Sequence, residues 1–254
     1  MILQRHSVHR HVAAFCLAGA VTIAAGAPAA AQTAAEVCLT ANRTLSLGAP
    51  LPRTAARLKT GQALRIVAVG SSSTTGLWML NPDATYPEVM RRELLAMRPR
   101  TPVEVINSGR VADTIASTRA RFQNDVLAYS PDLVIWQLGT NDVAWGGRAD
   151  GLKNQVVAGI RELKVDGADV ILMDLQYAPM ILASAQHEAI QTIIAEVSRE
   201  ERVGLFSRFS LMLRSIQAGL PVSALVAWDG LHNSADGYDC VGRALARAIY
   251  ADAR

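Results

Sequence analysis

Short apolar runs alternate with longer segments of helical period along most of this chain. Leu64–Val69 is apolar except at Arg65 and reads as a first strand. Val103–Ile106, Leu133–Leu138, Val170–Leu175 and Val203–Phe206 read as four more, with Pro131 and Gly167 marking the entries to the third and fourth. Thr85 and Glu88 stand three apart, as in a capping box, and Pro87 falls in the first turn, so a helix is expected from there to Met97. Further helices are expected over roughly 114–128, 150–165, 184–201 and Ser234–Ala251. Runs that are apolar on both faces need cover on both faces, as in a parallel sheet. The alternation therefore predicts an α/β fold with three layers: a mostly parallel, five-stranded, flavodoxin-like sheet between two sheets of helices. In such folds the ligand crevice lies beyond the carboxyl ends of the strands.

The segment before the first strand has a different pattern. Arg5, His6, His9, Arg10 and His11 form a basic start, Val12 to Ala25 is an uncharged apolar run, and Ala29-Ala30-Ala31 offers a small-residue cleavage site before Gln32. This is the layout of a secretory signal peptide. The apolar run is shorter than the roughly 20 residues a spanning helix needs, so no stable membrane anchor is expected after cleavage. Ala13-Ala14-Phe15 before Cys16 does not resemble a lipobox. The expected organisation is a signal peptide over 1–31, an N-terminal arm over 32–62 with an irregular Ala49-Pro50-Leu51-Pro52 stretch, and one domain over 63–254. The style of the signal is bacterial and points to the periplasm or the outside. An exported chain keeps Cys38 and Cys240, which can pair in an oxidising compartment or stay as two buried thiols.

The 254 residues are 50% hydrophobic and 19% charged, enough for a sizeable core. The formal net charge is +3, and two of those charges, Arg5 and Arg10, leave with the leader. Such a balance gives no electrostatic footprint for nucleic acid.

Chemistry gathers at the predicted strand ends. Gly70-Ser71-Ser72-Ser73-Thr74-Thr75-Gly76 follows the first strand and presents hydroxyls on a tight turn. A serine is a weak nucleophile without an adjacent base. Outside the leader the only histidines are His187 and His232. His187 lies in a polar stretch of a predicted helix and reads as a surface residue. His232 lies in Trp228-Asp229-Gly230-Leu231-His232-Asn233, just before the last helix, where Asp229 can fold back onto the imidazole. Taken alone, that turn also fits a simple helix entry. Asn141, in Gly139-Thr140-Asn141-Asp142 after the third strand, can offer an amide N–H to an oxyanion or merely cap the next segment. Asn107 to Thr114 follows the second strand and can supply a backbone donor.

These four segments resemble, in the same order, the sequence blocks of the SGNH (GDSL-like) hydrolases. Gly70-Ser71-Ser72 with Gly76 looks like the first block, and registering the two glycines puts the nucleophile at Ser72. Asn107–Thr114 looks like the second block, with the oxyanion N–H at Ala112; Gly139–Asp142 looks like the third, with Asn141; Asp229–His232 looks like the fifth, with acid and base three apart. The resemblance spans residues 64–251. It implies a serine esterase with Ser72, His232 and Asp229 as triad and with Ser72, Ala112 and Asn141 as oxyanion donors, needing neither metal nor cofactor. Two positions depart from the pattern: Ser71 stands where an aspartate is usual, and Ala112 where a glycine is usual. An alanine there donates comfortably only at negative φ. Gly109 is close enough in sequence to share that duty.

The substrate expected from export is an extracellular ester, small or borne by a glycan or lipid. Trp78, Trp145 and Trp228 flank the motifs and can line a cleft or simply pack loop bases. Two other readings stay open: a non-catalytic carbohydrate-binding or cell-envelope protein on the same fold, and a flavodoxin-like nucleotide or phosphate binder using the Gly70–Gly76 loop. That loop lacks the glycine spacing and the Gly-Lys-Ser/Thr ending of such sites.

Overall fold

The computed structural model describes residues 32–147 and 149–253. The expected signal peptide lies outside the described residues. The sheet consists of β1 (Leu64–Gly70), β2 (Val103–Gly109), β3 (Leu133–Gln137), β4 (Asp169–Met173) and β5 (Gly204–Phe206). All pairs are parallel, in the order β2-β1-β3-β4-β5. The strand order reverses between β1 and β3, and that switch point opens a crevice at their carboxyl ends. Every residue of β3 and β4 is buried, as their apolar runs predict, whereas the edge strand β2 is partly exposed along its length. Each fully buried Val, Leu or Ile contributes about 2 kcal/mol of apolar burial.

The chain-order helices are α1 (Ala34–Ala41), α2 (Pro52–Thr60), α3 (Ser72–Thr75), α4 (Tyr86–Met97), α5 (Ile115–Arg119), α6 (Phe122–Asp125), α7 (Thr140–Ala144), α8 (Leu152–Leu163), α9 (Pro179–Leu182), α10 (His187–Glu200), α11 (Arg208–Gln217), α12 (Val222–Leu225) and α13 (Ala235–Asp252). The last packs along α4 and α1. Among the described residues no helix is long and apolar enough to cross a membrane.

Three local expectations change. The helix at 86 begins where expected, but Thr85 makes no side-chain cap: its hydroxyl donates to Pro82 O, and Glu88 pairs with Arg91 instead. The single helix expected over 114–128 is broken into α5, α6 and a 3-10 turn at Leu127–Tyr129. The break falls at Arg121, whose backbone leaves helical geometry as its side chain drops into the interior, while Phe122 packs edge-on to Trp136 at 5.0 Å. Finally, α11 has no counterpart among the predicted helices.

The arm is more ordered than its sequence suggests. Cys38 of α1 and Cys240 of α13 form a disulfide with a Cα separation of 5.9 Å, closing 202 residues of chain. On the chain-entropy account such a closure stabilises by about 5 kcal/mol. Asn42 is buried, its amide donating to Cys38 O, Leu211 O and Ser215 Oγ. Leu205 N donates to Leu47 O at 2.8 Å, so the arm covers the β5 edge that would otherwise be open. At the far end of the sheet, Asp169 accepts the N–H groups of Arg53 and Thr54 at the start of α2, and Arg53 and Arg57 converge on Asp132.

Candidate active site

The turn that carries the candidate nucleophile starts where β1 ends. Ser71 is extended, α3 begins at Ser72, and Gly76 closes the turn at φ 90°, a left-handed value that suits glycine. Thr74 N and Thr75 N donate to Ser71 O, and Gly76 N to Ser72 O. Gly109, at the end of β2, runs against this turn so closely that a Cβ would lie 2.2 Å from Thr75 N. Its own N–H donates to Asn107 Oδ1. The structure thus gives Gly109 a packing duty and no free donor. Ser71, in place of the usual aspartate, gives both its N–H and its hydroxyl to Gln137 Oε1 of β3, at 2.8 and 2.9 Å.

Ser72 Oγ lies 2.7 Å from His232 Nε2, across 160 residues of sequence. His232 Nδ1 lies 2.5 Å from Asp229 Oδ2. The carboxylate is saturated: Oδ1 accepts Leu231 N and His232 N, both at 3.0 Å, and Oδ2 also accepts Trp78 Nε1 at 2.7 Å. Burial pushes the Asp229 carboxyl up, but the bonds from the His232 ring, the two backbone N–H groups and Trp78 outweigh it and hold it well below the usual carboxylate range. Asp229 is therefore ionised at neutral pH and fixes the His232 tautomer with Nε2 facing the serine. His187, by contrast, is held by Ser184 O and stacks on Phe209, away from this chain of contacts.

Asn141 lies within the third block, in α7 beyond β3. Its Nδ2 donates to Asp113 O at 2.8 Å, which orients the amide and leaves one N–H. Ala112 precedes Asp113 at φ 73°, a left-handed conformation, against the negative value that an alanine prefers. Among the described residues neither the Ser72 nor the Ala112 backbone N–H has an acceptor. The loop is locked from below by Arg121: Nε bonds Asp113 Oδ2 at 2.6 Å, Nη2 bonds Gly70 O and Nη1 bonds Asp125. Asp142 accepts Ile115 N at the start of α5, with burial pushing its carboxyl up.

A second buried arginine supports the other side. Arg208 Nη2 donates to Thr140 Oγ1, Asp174 O and Gln176 Oε1. Gln176 Nε2 donates to Leu231 O in the His232 turn, and Gln137 Nε2 donates to Thr140 Oγ1. One polar network thereby joins the Ser72 turn, the Gly139–Asp142 block and the His232 turn. Burial pushes Arg208 down, Asp174 up to about 6 and Tyr86 up to about 12. The sequence reading placed none of Arg121, Gln137, Gln176 and Arg208 in the site.

Beside the turn that carries Asp229 and His232 lies a groove of about 710 Å³ lined by Trp78, Met79, Pro179, Val226, Trp228 and Gly230; Ser72 is not part of its lining. The Trp78 and Trp228 rings meet at 5.2 Å, and Trp78 stands edge-on to His232. Trp145 is also exposed but makes no ring contact with this pair. A second groove of about 700 Å³ lies between the arm and α10–α11. Among the described residues no group of three or more His, Cys, Asp or Glu is placed to hold a metal ion.

Known proteins agree with this architecture. An acetylxylan esterase of Geobacillus stearothermophilus is 26% identical over 168 residues, 61% of this chain and 76% of that protein. A crystal structure of a two-domain esterase active on acetylated mannans superposes with a TM-score of 0.69 at 22% identity, covering 81% of this chain. This chain spans 54% of that larger protein. A lipase/acylhydrolase from Enterococcus faecalis gives 0.64 at 23% identity, over 74% of this chain and 96% of its own. At those identities the two structures establish the fold, the three-layer SGNH arrangement expected from the sequence. Residues 37–254 match the non-GDSL lipase-like family, and the chain belongs to it.

Proposed function

We propose that the protein is an exported serine esterase that removes small acyl groups, acetyl foremost, from carbohydrate. The observation that carries this reading is the continuous Ser72 Oγ–His232 Nε2, His232 Nδ1–Asp229 Oδ2 chain at the switch-point crevice. His232 takes the Ser72 proton as Oγ attacks the ester carbonyl, and Asp229 stabilises the imidazolium that forms. The tetrahedral oxyanion receives the Ser72 and Ala112 N–H groups and the remaining Asn141 amide proton. His232 then protonates the departing sugar oxygen, which leaves as the hydroxyl, and water releases the acyl group from Ser72 by the reverse route.

The carbohydrate assignment draws on the names of the relatives and on the Trp78–Trp228 wall, since indole faces suit the apolar face of a pyranose ring. The export assignment draws on the basic start, apolar run and Ala-Ala-Ala site of the first 31 residues and on the Cys38–Cys240 bridge, which persists in oxidising compartments.

Hydrolysis of p-nitrophenyl acetate, acetylated xylan and acetylated mannan by residues 32–254 tests the reading, beside Ser72→Ala and His232→Ala. Turnover that falls at least about 10³-fold in both variants supports it. Equal trace rates in wild type and Ser72→Ala, with no phosphonate label on Ser72, sink it and favour a glycan-binding protein.

A further inference from the structure

We infer that Trp78 is a positioning residue for Asp229, its indole N–H clamping the triad carboxylate from the nucleophile's own segment. Resting on the triad reading above, the inference adds a residue that the Ser-His-Asp arrangement does not itself require. Three of the four hydrogen bonds to Asp229 come from its own turn: Leu231 N, His232 N and His232 Nδ1. Such contacts travel with the turn and cannot fix it against the serine. Trp78 Nε1, at 2.7 Å from Oδ2, is the one donor from outside among the described residues, 151 residues away in sequence. It also shares Oδ2 with the imidazole, so it fixes the oxygen that His232 must address.

The local backbone is arranged for this contact. Leu77 N donates to Ser72 O and Met79 N to Gly76 O, which ties the segment to the nucleophile turn. Trp78 itself adopts φ 72°, a left-handed conformation that bulky residues avoid. Residues held in that region persist where the surroundings over-determine them, and they cluster at functional sites. Here the conformation accompanies an indole whose edge reaches the carboxylate and whose ring packs on Trp228 and His232. The segment Ser72–Trp78 thus carries both the nucleophile and the clamp on its acid. A wall residue of the groove would serve equally well as phenylalanine; a clamp would not, because only the N–H reaches Asp229.

The test is Trp78→Phe, assayed on p-nitrophenyl acetate, together with the downfield proton resonance of the His232 Nδ1–H···Asp229 bond. The expected result is a kcat about tenfold lower with KM within about twofold, and a moved or exchange-broadened resonance. Trp78 replaced by benzothienylalanine, which puts sulfur where the N–H stood and keeps the ring, is expected to behave the same way and covers a misfolded Phe variant. A kcat within about twofold of wild type, or a loss confined to KM with an unmoved resonance, overturns the inference and leaves Trp78 as groove wall. If wild type shows no turnover and no phosphonate label, the esterase reading fails separately, and the resonance alone then decides whether the clamp exists.

Discussion

Arg121 and Arg208 both lie buried beneath the candidate active site, yet they are neutralised in opposite ways. Arg121 touches two carboxylates, Asp113 at 2.6 Å and Asp125 at 3.0 Å, and ties them to Gly70 O at the root of the nucleophile turn. Arg208 has no carboxylate within ion-pair distance among the described residues. Its contacts are neutral oxygens of Thr140, Asp174 and Gln176, and its Nε and Nη1 have no hydrogen-bond partner there. The candidate oxyanion side is thus held by direct ion pairs, and the candidate base side by a charge spread over dipoles, with the Asp174 carboxylate acting on it from beyond ion-pair distance. A buried ion pair is strongly damaged by losing one member, because the other is left uncompensated. A buried cation among dipoles loses hydrogen bonds when removed, but it also sheds its own desolvation penalty.

The largest expected effect follows from that difference. Arg121→Met strands the Asp113 carboxylate and should destabilise the fold by about 3–5 kcal/mol. Arg208→Met takes one donor from three oxygens, two of which keep another, Thr140 Oγ1 from Gln137 and Gln176 Oε1 from Thr140, and should cost only about 1–3 kcal/mol. Urea unfolding of both variants ranks them, and an Arg208→Met loss equal to that of Arg121→Met would break the comparison. Next comes Asn141→Ala, which removes the side-chain donor that Asp113 O orients. It should lower kcat about 10²–10³-fold on p-nitrophenyl acetate while leaving the unfolding midpoint nearly in place. A variant that loses stability and keeps its rate would move Asn141 from the oxyanion site to a loop cap.

The base side carries its own pH signature. Burial raises the Asp174 carboxyl to about 6, whereas an unfolded chain titrates near about 4. The folded state therefore holds this proton more tightly. The resulting stabilisation is complete below about pH 4 and is lost as pH rises to about 6, a swing of about 3 kcal/mol. Melting temperatures measured between pH 4 and 7 should show this fall in wild type and not in Asp174→Asn. An unchanged slope in the variant would assign the pH dependence to another group.

The sequence made the strands and the ends that carry chemistry readable for one reason. Strands covered on both faces leave uninterrupted apolar runs, and parallel topology sends the residues after each run to the same crevice. Ser72, Asn141 and His232 were singled out as candidates that way, and the scarcity of histidine narrowed the choice of base. The supports beneath them left no such trace. Arg208 opens a helix that the pattern missed, and Arg121 sits in what reads as one continuous helix, where nothing local separates a buried arginine from a solvated one. Gln137 ends a strand whose apolar neighbours conceal it. The Cys38–Cys240 pairing and the Trp78–Asp229 contact depend on distances across 202 and 151 residues, and periodicity carries no such information.

The smallest expected effect concerns the residue on which sequence and structure disagree most locally. Ala112 sits at φ 73°, where an L side chain costs about 1–2 kcal/mol relative to right-handed geometry. Its backbone N–H is kept, and its carbonyl side is fixed by Asn141 reaching Asp113 and by Arg121 below. That surrounding order, paid for largely by the Arg121–Asp113 pair, is what holds the alanine in a glycine conformation. Ala112→Gly relieves the strain and adds unfolded-chain entropy, so a net stabilisation of up to about 1 kcal/mol is expected, with kcat within about twofold. In an Arg121→Met background the same change should stabilise less, since a loosened loop has already released part of the strain. A double-mutant cycle on the unfolding free energies measures that coupling, and strict additivity would mean that the ion pair and the strained donor are independent.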